Sequence, residues 1–224
     1  MYQTNSDPPI VAYQMFGSPL SYPHPDRLLS PRIAVGVNSL LHGVFSEGPS
    51  YPYEAGVAHL YYIRWTAVDW GNPIELGTDV DSPRRISVDA DGSGHVYAAW
   101  ERYDTDFDIW FMRSDDNGLN WIWPPQILGA SGSNQIAPDV AAGPNGKVYI
   151  VWADNSRGQY EIEFVVNTKN GQDGFWTAPS QLTDSARDSL SPRIAIGLAT
   201  WKVGVVWRDF RDQNWEVYFT AKFI

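Results

Sequence analysis

No cysteine occurs in the 224 residues, which excludes disulfides, thiolate nucleophiles and cysteine-held zinc or iron–sulfur centres and leaves packing to stabilise the fold. Positive charge is scarce, with 16 Lys and Arg against 26 Asp and Glu for a formal charge of −10. That field repels a phosphate backbone, so nucleic acid is not an expected partner. No apolar run approaches the ~18 residues of a membrane-spanning helix, and no membrane partner is expected. The opening MYQTNSDPPIVAYQ has neither a basic n-region nor an apolar h-region, so it does not read as a signal peptide. The expectation is a soluble protein, secreted or periplasmic if a leader has been removed, with the compartment otherwise open. His24, His42, His59 and His95 fall at no ligand spacing on a shared helix, so neither metal nor cofactor is expected.

What is plentiful is aromatic and turn-forming: 11 Trp, 12 Tyr, 19 Gly and 16 Pro, the makings of many short strands joined by tight turns. A chain of this length can bury roughly 70% of its unfolded surface and needs no staple. Internal repetition organises it. SPRIAVG at 30–36, PRRISVD at 83–89, APDVAAG at 137–143 and SPRIAIG at 191–197 align at spacings of 53, 54 and 54, making Arg32, Arg85, Asp139 and Arg193 equivalent. Downstream, an apolar strand ends in an aromatic with a charge two places on: Phe45/Glu47, Trp100/Arg102, Trp152/Asp154 and Trp207/Asp209. A third strand carries Leu60/Tyr62, Ile109/Phe111, Ile162/Phe164 and Val217/Phe219, the period-2 alternation of a strand.

A fourth element reads aromatic-x-x-Pro at Trp70–Pro73, Trp121–Pro124 and Trp176–Pro179, suited to an outer edge where proline is tolerated. The last unit lacks it, but Phe16-Gly-Ser-Pro19-Leu20 near the N-terminus supplies a match. The expected fold is all-β, a four-bladed β-propeller of four-stranded antiparallel blades, closed by the N-terminal strand joining the C-terminal blade. It forms one domain over 1–224, with units at about 30–81, 82–136, 137–190 and 191–224 plus 14–22.

Ser114-Asp-Asp116-Asn-Gly118-Leu-Asn-Trp121 matches S-x-D-x-G-x-x-W and resembles the Asp-box, or BNR, repeat of the sialidase-like propellers. Asp116 and Ser114 would bond the turn backbone, Gly118 would supply positive φ and Trp121 would pack beneath. The resemblance implies a structural role for these four residues and raises exo-glycosidase activity. Its departures are four units where those enzymes have six and no assignable Tyr/Glu pair.

In such a blade the start of strand one and the end of strand two share a face. That gathers Arg32, Arg85, Arg193 and Asp139 with Glu47, Arg102, Asp154 and Asp209, beside an inserted 47–59 loop bearing Tyr51 and Tyr53. One reading of these charges is an ionic belt between blades, pairing for example Arg32 with Glu47 and Asp139 with Arg102. The other is a binding site in which unpaired guanidinium forks take a carboxylate or sugar. Ala34, Ser87, Ala141 and Ala195 would then crowd the axis, and Ile33, Ile86, Val140 and Ile194 would face between blades. The Asp89–Gly94 run suggests a calcium loop, but Trp100 stands where a bidentate Glu belongs, so a hairpin turn is expected there.

The functional expectation is a non-enzymatic module recognising a carbohydrate, a small polar or anionic ligand, or a protein on the face of the 47–59 loop. Alternatives are a sialidase-like glycoside hydrolase and a structural module of a larger extracellular protein. Aromatic-rich surface makes a homo-oligomer a further expectation.

Overall fold

A computed structural model describes residues 27–48, 58–66, 70–79, 84–129, 132–197 and 202–223. Four antiparallel sheets succeed one another along the chain. The first joins β1 (Arg27–Val35), β2 (Leu41–Gly48), β3 (Ala58–Trp65) and β4 (Ile74–Asp79). The second joins β5 (Arg84–Ala90), β6 (Val96–Tyr103), β7 (Phe107–Ser114) and β8 (Gln126–Ile127); the third joins β9 (Gln135–Ala142), β10 (Val148–Asp154), β11 (Glu161–Asn167) and β12 (Ser180–Gln181). The fourth has three described strands, β13 (Ser189–Gly197), β14 (Lys202–Asp209) and β15 (Glu216–Phe223). No helix among the described residues is long and apolar enough to cross a membrane. The segment 14–22, expected to complete the fourth sheet, lies outside the described residues.

The first strands stack in chain order, β1 on β5, β5 on β9 and β9 on β13, so each sheet is a blade set against the next. Between the second and third blades, Tyr97, Ala99, Ile109 and Phe111 meet Val140, Val148, Ile150 and Trp152. Between the third and fourth, Tyr149, Val151 and Ile162 meet Ile194, Val203, Val205 and Trp207. Full burial of a Val- or Ile-sized side chain stabilises by roughly 1.5–3 kcal/mol. The recurring Trp152 and Trp207 are buried in these seams, and Trp100 is buried between the first and second blades with Leu60, Tyr62 and Leu76.

Each first strand is broken by the same bulge. Pairing with strand two skips Ser30-Pro31, Arg85-Ile86, Ala137-Pro138 and Ser191-Pro192. The first residue of each pair is left-handed: Ser30 φ 52°, Arg85 φ 43°, Ala137 φ 57° and Ser191 φ 55°. A bulge of this kind twists the strand and re-aims the side chains beyond it. It also corrects the sequence alignment. Arg32, Ser87, Asp139 and Arg193 face Val44, Ala99, Val151 and Val206, so Ser87, not Arg85, is the equivalent of Arg32. In the second blade Arg85-Ile86 forms the bulge that Ser-Pro or Ala-Pro forms elsewhere, and Pro83 misleads the eye by two places. The next tier inward is accordingly Ala34, Asp89, Ala141 and Ala195, and the seam position is Ile33, Val88, Val140 and Ile194.

Candidate functional site

Four bulges deliver one side chain per blade to a common tier: Arg32, Ser87, Asp139 and Arg193. Asp139 is its centre. The Ser87 hydroxyl donates to Asp139 Oδ1 at 2.7 Å and the Ile194 N–H donates to Oδ2 at 2.8 Å. Burial raises the Asp139 carboxyl above the usual range, against those two hydrogen bonds and the nearby charges of Arg193 and Arg32. One tier inward, Asp89 Oδ2 accepts the Ala142 N–H at 2.7 Å. Burial raises it as well, and Asp139 adds to the effect. Both carboxylates therefore latch their blade to the backbone of the next. The same device recurs where Glu101 Oε2 accepts the Ala137 N–H at 2.7 Å and where Ser87 Oγ accepts the Val140 N–H at 3.1 Å.

The two tier arginines behave differently. Arg32 and Arg193 are exposed, and each turns Nη1 back onto the carbonyl of the preceding bulge proline, Pro31 at 2.9 Å and Pro192 at 2.7 Å. Neither makes an ion pair among the described residues. Arg85, displaced onto the bulge, reaches Glu101 at 3.9 Å.

The expected belt pairs, Arg32 with Glu47 and Asp139 with Arg102, are absent from the ion pairs among the described residues, because the tier and the strand-two ends are used differently. Asp139 is occupied by Ser87 and Ile194, and Arg102 lies over the Trp110 ring at 4.2 Å. Asp154 ties the start of β9 to the turn that follows β10, accepting from Gln135 Nε2 at 3.0 Å and Ser156 N at 2.7 Å. Asp209 gathers Ser189, Trp207 and Arg211. Glu47 is half-buried at the end of β2, while Tyr51 and Tyr53 lie outside the described residues. Sequence reading passed over Asp89 and Glu101 as site-facing groups. The signal that could have found them is a lone acid in a repeat slot that is otherwise small or uncharged in two or more blades.

On the opposite face, Ser114 Oγ accepts from Asp116 N at 3.3 Å and Gly118 N at 2.9 Å and donates to Asp116 Oδ1 at 2.8 Å. Asp116 in turn accepts from Asn120 N at 2.8 Å. Trp121 packs edge-on against Tyr62 of the preceding blade, ring centres 5.0 Å apart. The third blade builds the same turn from different residues: Asn167 Oδ1 accepts from Lys169 N at 2.8 Å and Gly171 N at 2.9 Å. Between these two turns lies a cleft of about 760 Å³, bordered by Arg113, Trp123, Gln126, Asp173 and Trp176. The Asp89–Gly94 run forms the expected hairpin turn, with Asp91 Oδ1 accepting from Ser93 N and His95 N. Among the described residues no cluster of His, Asp and Glu could hold a metal ion.

No family model and no curated protein matches the chain. Solved structures do. A protein of unknown function from Dyadobacter fermentans superposes with TM-score 0.63 at 12% identity, over 82% of this chain and 62% of that one. The alpha-L-arabinanase of Penicillium chrysogenum complexed with arabinobiose gives 0.59 at 15% identity, over 88% and 63%. The Trypanosoma rangeli sialidase in complex with the inhibitor DANA gives 0.60 at 14% identity, over 87% and 36%. The fold is a β-propeller. This propeller chain spans less than two thirds of the length of each of these structures, and identities this low establish shared architecture alone.

Proposed function

We propose that this propeller is a non-enzymatic recognition module for a carbohydrate or another small polar or anionic ligand, bound at the rim where Arg32 and Arg193 emerge. The observation carrying the reading is that both guanidinium groups are exposed, make no ion pair among the described residues, and lie near one half-buried carboxylate, Asp139. A guanidinium presents a planar fork of donors suited to a carboxylate or to vicinal hydroxyls. Arg85, anchored near Glu101, would contribute at the margin, and Tyr51 and Tyr53 on the neighbouring loop would offer flat faces to a sugar ring.

A glycoside hydrolase is the second reading, suggested by the arabinanase and sialidase among the similar folds and by the Asp-box pattern of Ser114–Trp121. The occupancy of the inner carboxylates favours binding over hydrolysis. Asp139 has each oxygen engaged by a donor, and Asp89 bonds both Ala142 N and Ala90 N, so neither is poised as a free acid or nucleophile of the kind hydrolysis requires.

A glycan array run beside fluorogenic sialoside and glycoside turnover tests both. The expected result is binding of an acidic or polyhydroxylated glycan, weakened at least about tenfold by Arg32→Ala or Arg193→Ala, the loss of one charge-assisted contact, and no turnover. Silence on the array overturns the reading. Turnover that depends on Asp139 replaces it with hydrolysis.

A further inference from the structure

Two of the three seams hold a stack of three rings, and the third seam holds only two of them. At the first, His42 of strand two stacks on Tyr62 of strand three, ring centres 6.0 Å apart, and Trp121 of the second blade closes edge-on at 5.0 Å. At the second, Tyr97 stacks on Phe111 at 6.3 Å and Trp176 of the third blade closes edge-on, again at 5.0 Å. At the third, Tyr149 and Phe164 hold the same repeat positions and meet at 5.9 Å, but among the described residues no third ring closes on Phe164. Tyr62 and Phe111 are accordingly fully buried, whereas Phe164 is only half-buried. A cavity of about 320 Å³ borders Tyr149 and Phe164. Its other walls match the surroundings of Trp176 place for place, with Val203, Val205 and Thr220 in the repeat slots of Val148, Ile150 and Val165.

The polar groups around this cavity are unmatched too. His42 Nδ1 lies 2.7 Å from Tyr62 Oη, and Tyr97 Oη donates to Asp91 Oδ2 at 3.2 Å. Tyr149 Oη, in the same repeat slot and sheltered from water, has no hydrogen-bond partner, because Gly143 stands six residues before it where Asp91 stands before Tyr97. A sheltered donor without an acceptor is unfavourable, and an acceptor brought by a ligand relieves it. Half-buried Lys147 and exposed Lys222 border the cavity as well. Neither makes an ion pair among the described residues, and no carboxylate borders the cavity. In the second blade the slot of Lys147 is His95, bonded to Asp91 at 2.7 Å. The slot of Lys222 is Ser114 in the second blade and Asn167 in the third. Two unneutralised cations are thus gathered at the one seam that lacks its ring, in a chain of formal charge −10.

We infer that this cavity binds a planar aromatic carboxylate, its ring taking the place on Phe164 that Trp121 and Trp176 take on Tyr62 and Phe111, and its acid group meeting the ammonium groups of Lys147 and Lys222. An edge-on ring is the geometry that aromatic pairs favour, and a carboxylate against an ammonium makes the stronger, charge-assisted class of hydrogen bond. The volume lies at the lower end of the range of small-molecule sites, about 300–1,000 Å³, which suits one bicyclic ring with a short acid arm rather than a sugar chain. None of the lining residues belongs to the tier of Arg32 and Arg193, so the site is separate from the rim and independent of what binds there.

Indoleacetate titrated calorimetrically into the full chain is the probe. Saturable binding is expected, weakened at least about tenfold by Lys147→Met/Lys222→Met, the loss of charge-assisted contacts. Thr220→Phe sets a ring of the chain's own in the cavity and is expected to abolish binding while the melting temperature holds or rises. Indole, which lacks the acid group, is expected to bind more weakly and to be indifferent to the lysine pair. No saturation below about 1 mM overturns the inference. Affinity unchanged by both variants also overturns it, and so does affinity that falls with Arg32→Ala, which places the acid at the rim. Unaltered protein provides a readout independent of the substitutions. The methyl resonances of Val203 and Val205 are expected to shift when indoleacetate is added, while those of Val148, in the same slot of the filled second seam, stay in place. Equal shifts at Val148 and Val203 overturn the assignment.

Discussion

Asp139 Oδ2 accepts the main-chain N–H of Ile194 at 2.8 Å, so a side chain of the third blade holds the backbone of the fourth. Three neighbouring bonds repeat the scheme between the second and third blades, through Ser87, Asp89 and Glu101. Apolar seams give the blades adhesion without direction, and these latches set how far one first strand slides along the next.

The latch at Asp139 has a pH signature. Burial raises its carboxyl above the usual value, so the protonated form is favoured in the folded protein. The stability it contributes is complete below the unfolded carboxylate value, about 3.9, and is withdrawn as pH rises through the folded value. Asp139→Asn keeps an acceptor for Ile194 without the buried charge. Its melting temperature at pH 7 is expected to equal or exceed that of the parent, whereas Asp139→Ala strands the Ile194 N–H and loses about 1–3 kcal/mol. Thermal melts at pH 4 and pH 7 check this. An asparagine variant weaker than the alanine variant at pH 7 would sink it.

His42 titrates in the opposite sense. It is fully buried, its Nδ1 lies 2.7 Å from Tyr62 Oη, and burial with the nearby charge of Arg64 lowers its pKa to about 4. Its neutral form is favoured on folding, so stability is full above the unfolded value of about 6.5 and is lost as pH falls toward the folded value, by roughly 3 kcal/mol in all. Urea midpoints are expected to decline between pH 6.5 and 4, and His42→Phe flattens that decline while forfeiting the Tyr62 bond. An undiminished acid dependence in the phenylalanine variant assigns it elsewhere.

The turn glycines separate conformational from steric cost. Gly118 has φ +79°, and a Cβ there would lie 1.8 Å from Tyr62 Oη, whereas Gly174, φ +78°, faces open space. Gly174→Ala should lose only the left-handed penalty, about 1 kcal/mol. Gly118→Ala adds an overpacking cost, for a total of about 2–4 kcal/mol. Chemical denaturation of the two variants measures the difference, and equal losses would show that Tyr62 simply moves aside.

Repetition made most of this architecture legible. Period-2 strands, recurrent Trp100, Trp152 and Trp207, and proline-led edge elements identify four blades, because each unit answers the same packing demand. The second blade was misaligned for a physical reason: any residue able to adopt left-handed φ can open the bulge, and Arg85 does so where Ser30, Ala137 and Ser191 do elsewhere. Local sequence marks the bulge only when proline comes next. The candidate site was legible at Arg32, Asp139 and Arg193, whose slot is fixed by SPR and APD. The latches at Asp89 and Glu101 were not, since their partners are backbone N–H groups about 53 and 36 positions away, which no side-chain pattern records.

Asp209 supports the last described blade. It is fully buried and accepts from Ser189 Oγ at 2.9 Å, Trp207 Nε1 at 3.2 Å and Arg211 through N at 2.9 Å, Nε at 3.0 Å and Nη2 at 2.6 Å. Burial alone would raise its pKa, but the Arg211 guanidinium and the other donors outweigh it and hold the carboxyl well below the usual range. A depressed carboxylate contributes stability that is present above the unfolded value of about 3.9 and lost as pH falls toward the folded one. Asp209→Ala leaves the buried Ser189 and Trp207 donors without this acceptor and is expected to lose about 2–4 kcal/mol at pH 7. Asp209→Asn restores an acceptor without the charge and loses less. At pH 2.5 the gap between parent and Asp209→Ala should narrow while remaining measurable, since hydrogen-bond acceptance persists. Melts at the two pH values decide it, and a loss below about 0.5 kcal/mol at pH 7 would mean that Arg211 and the Ser189 hydroxyl find solvent in its place.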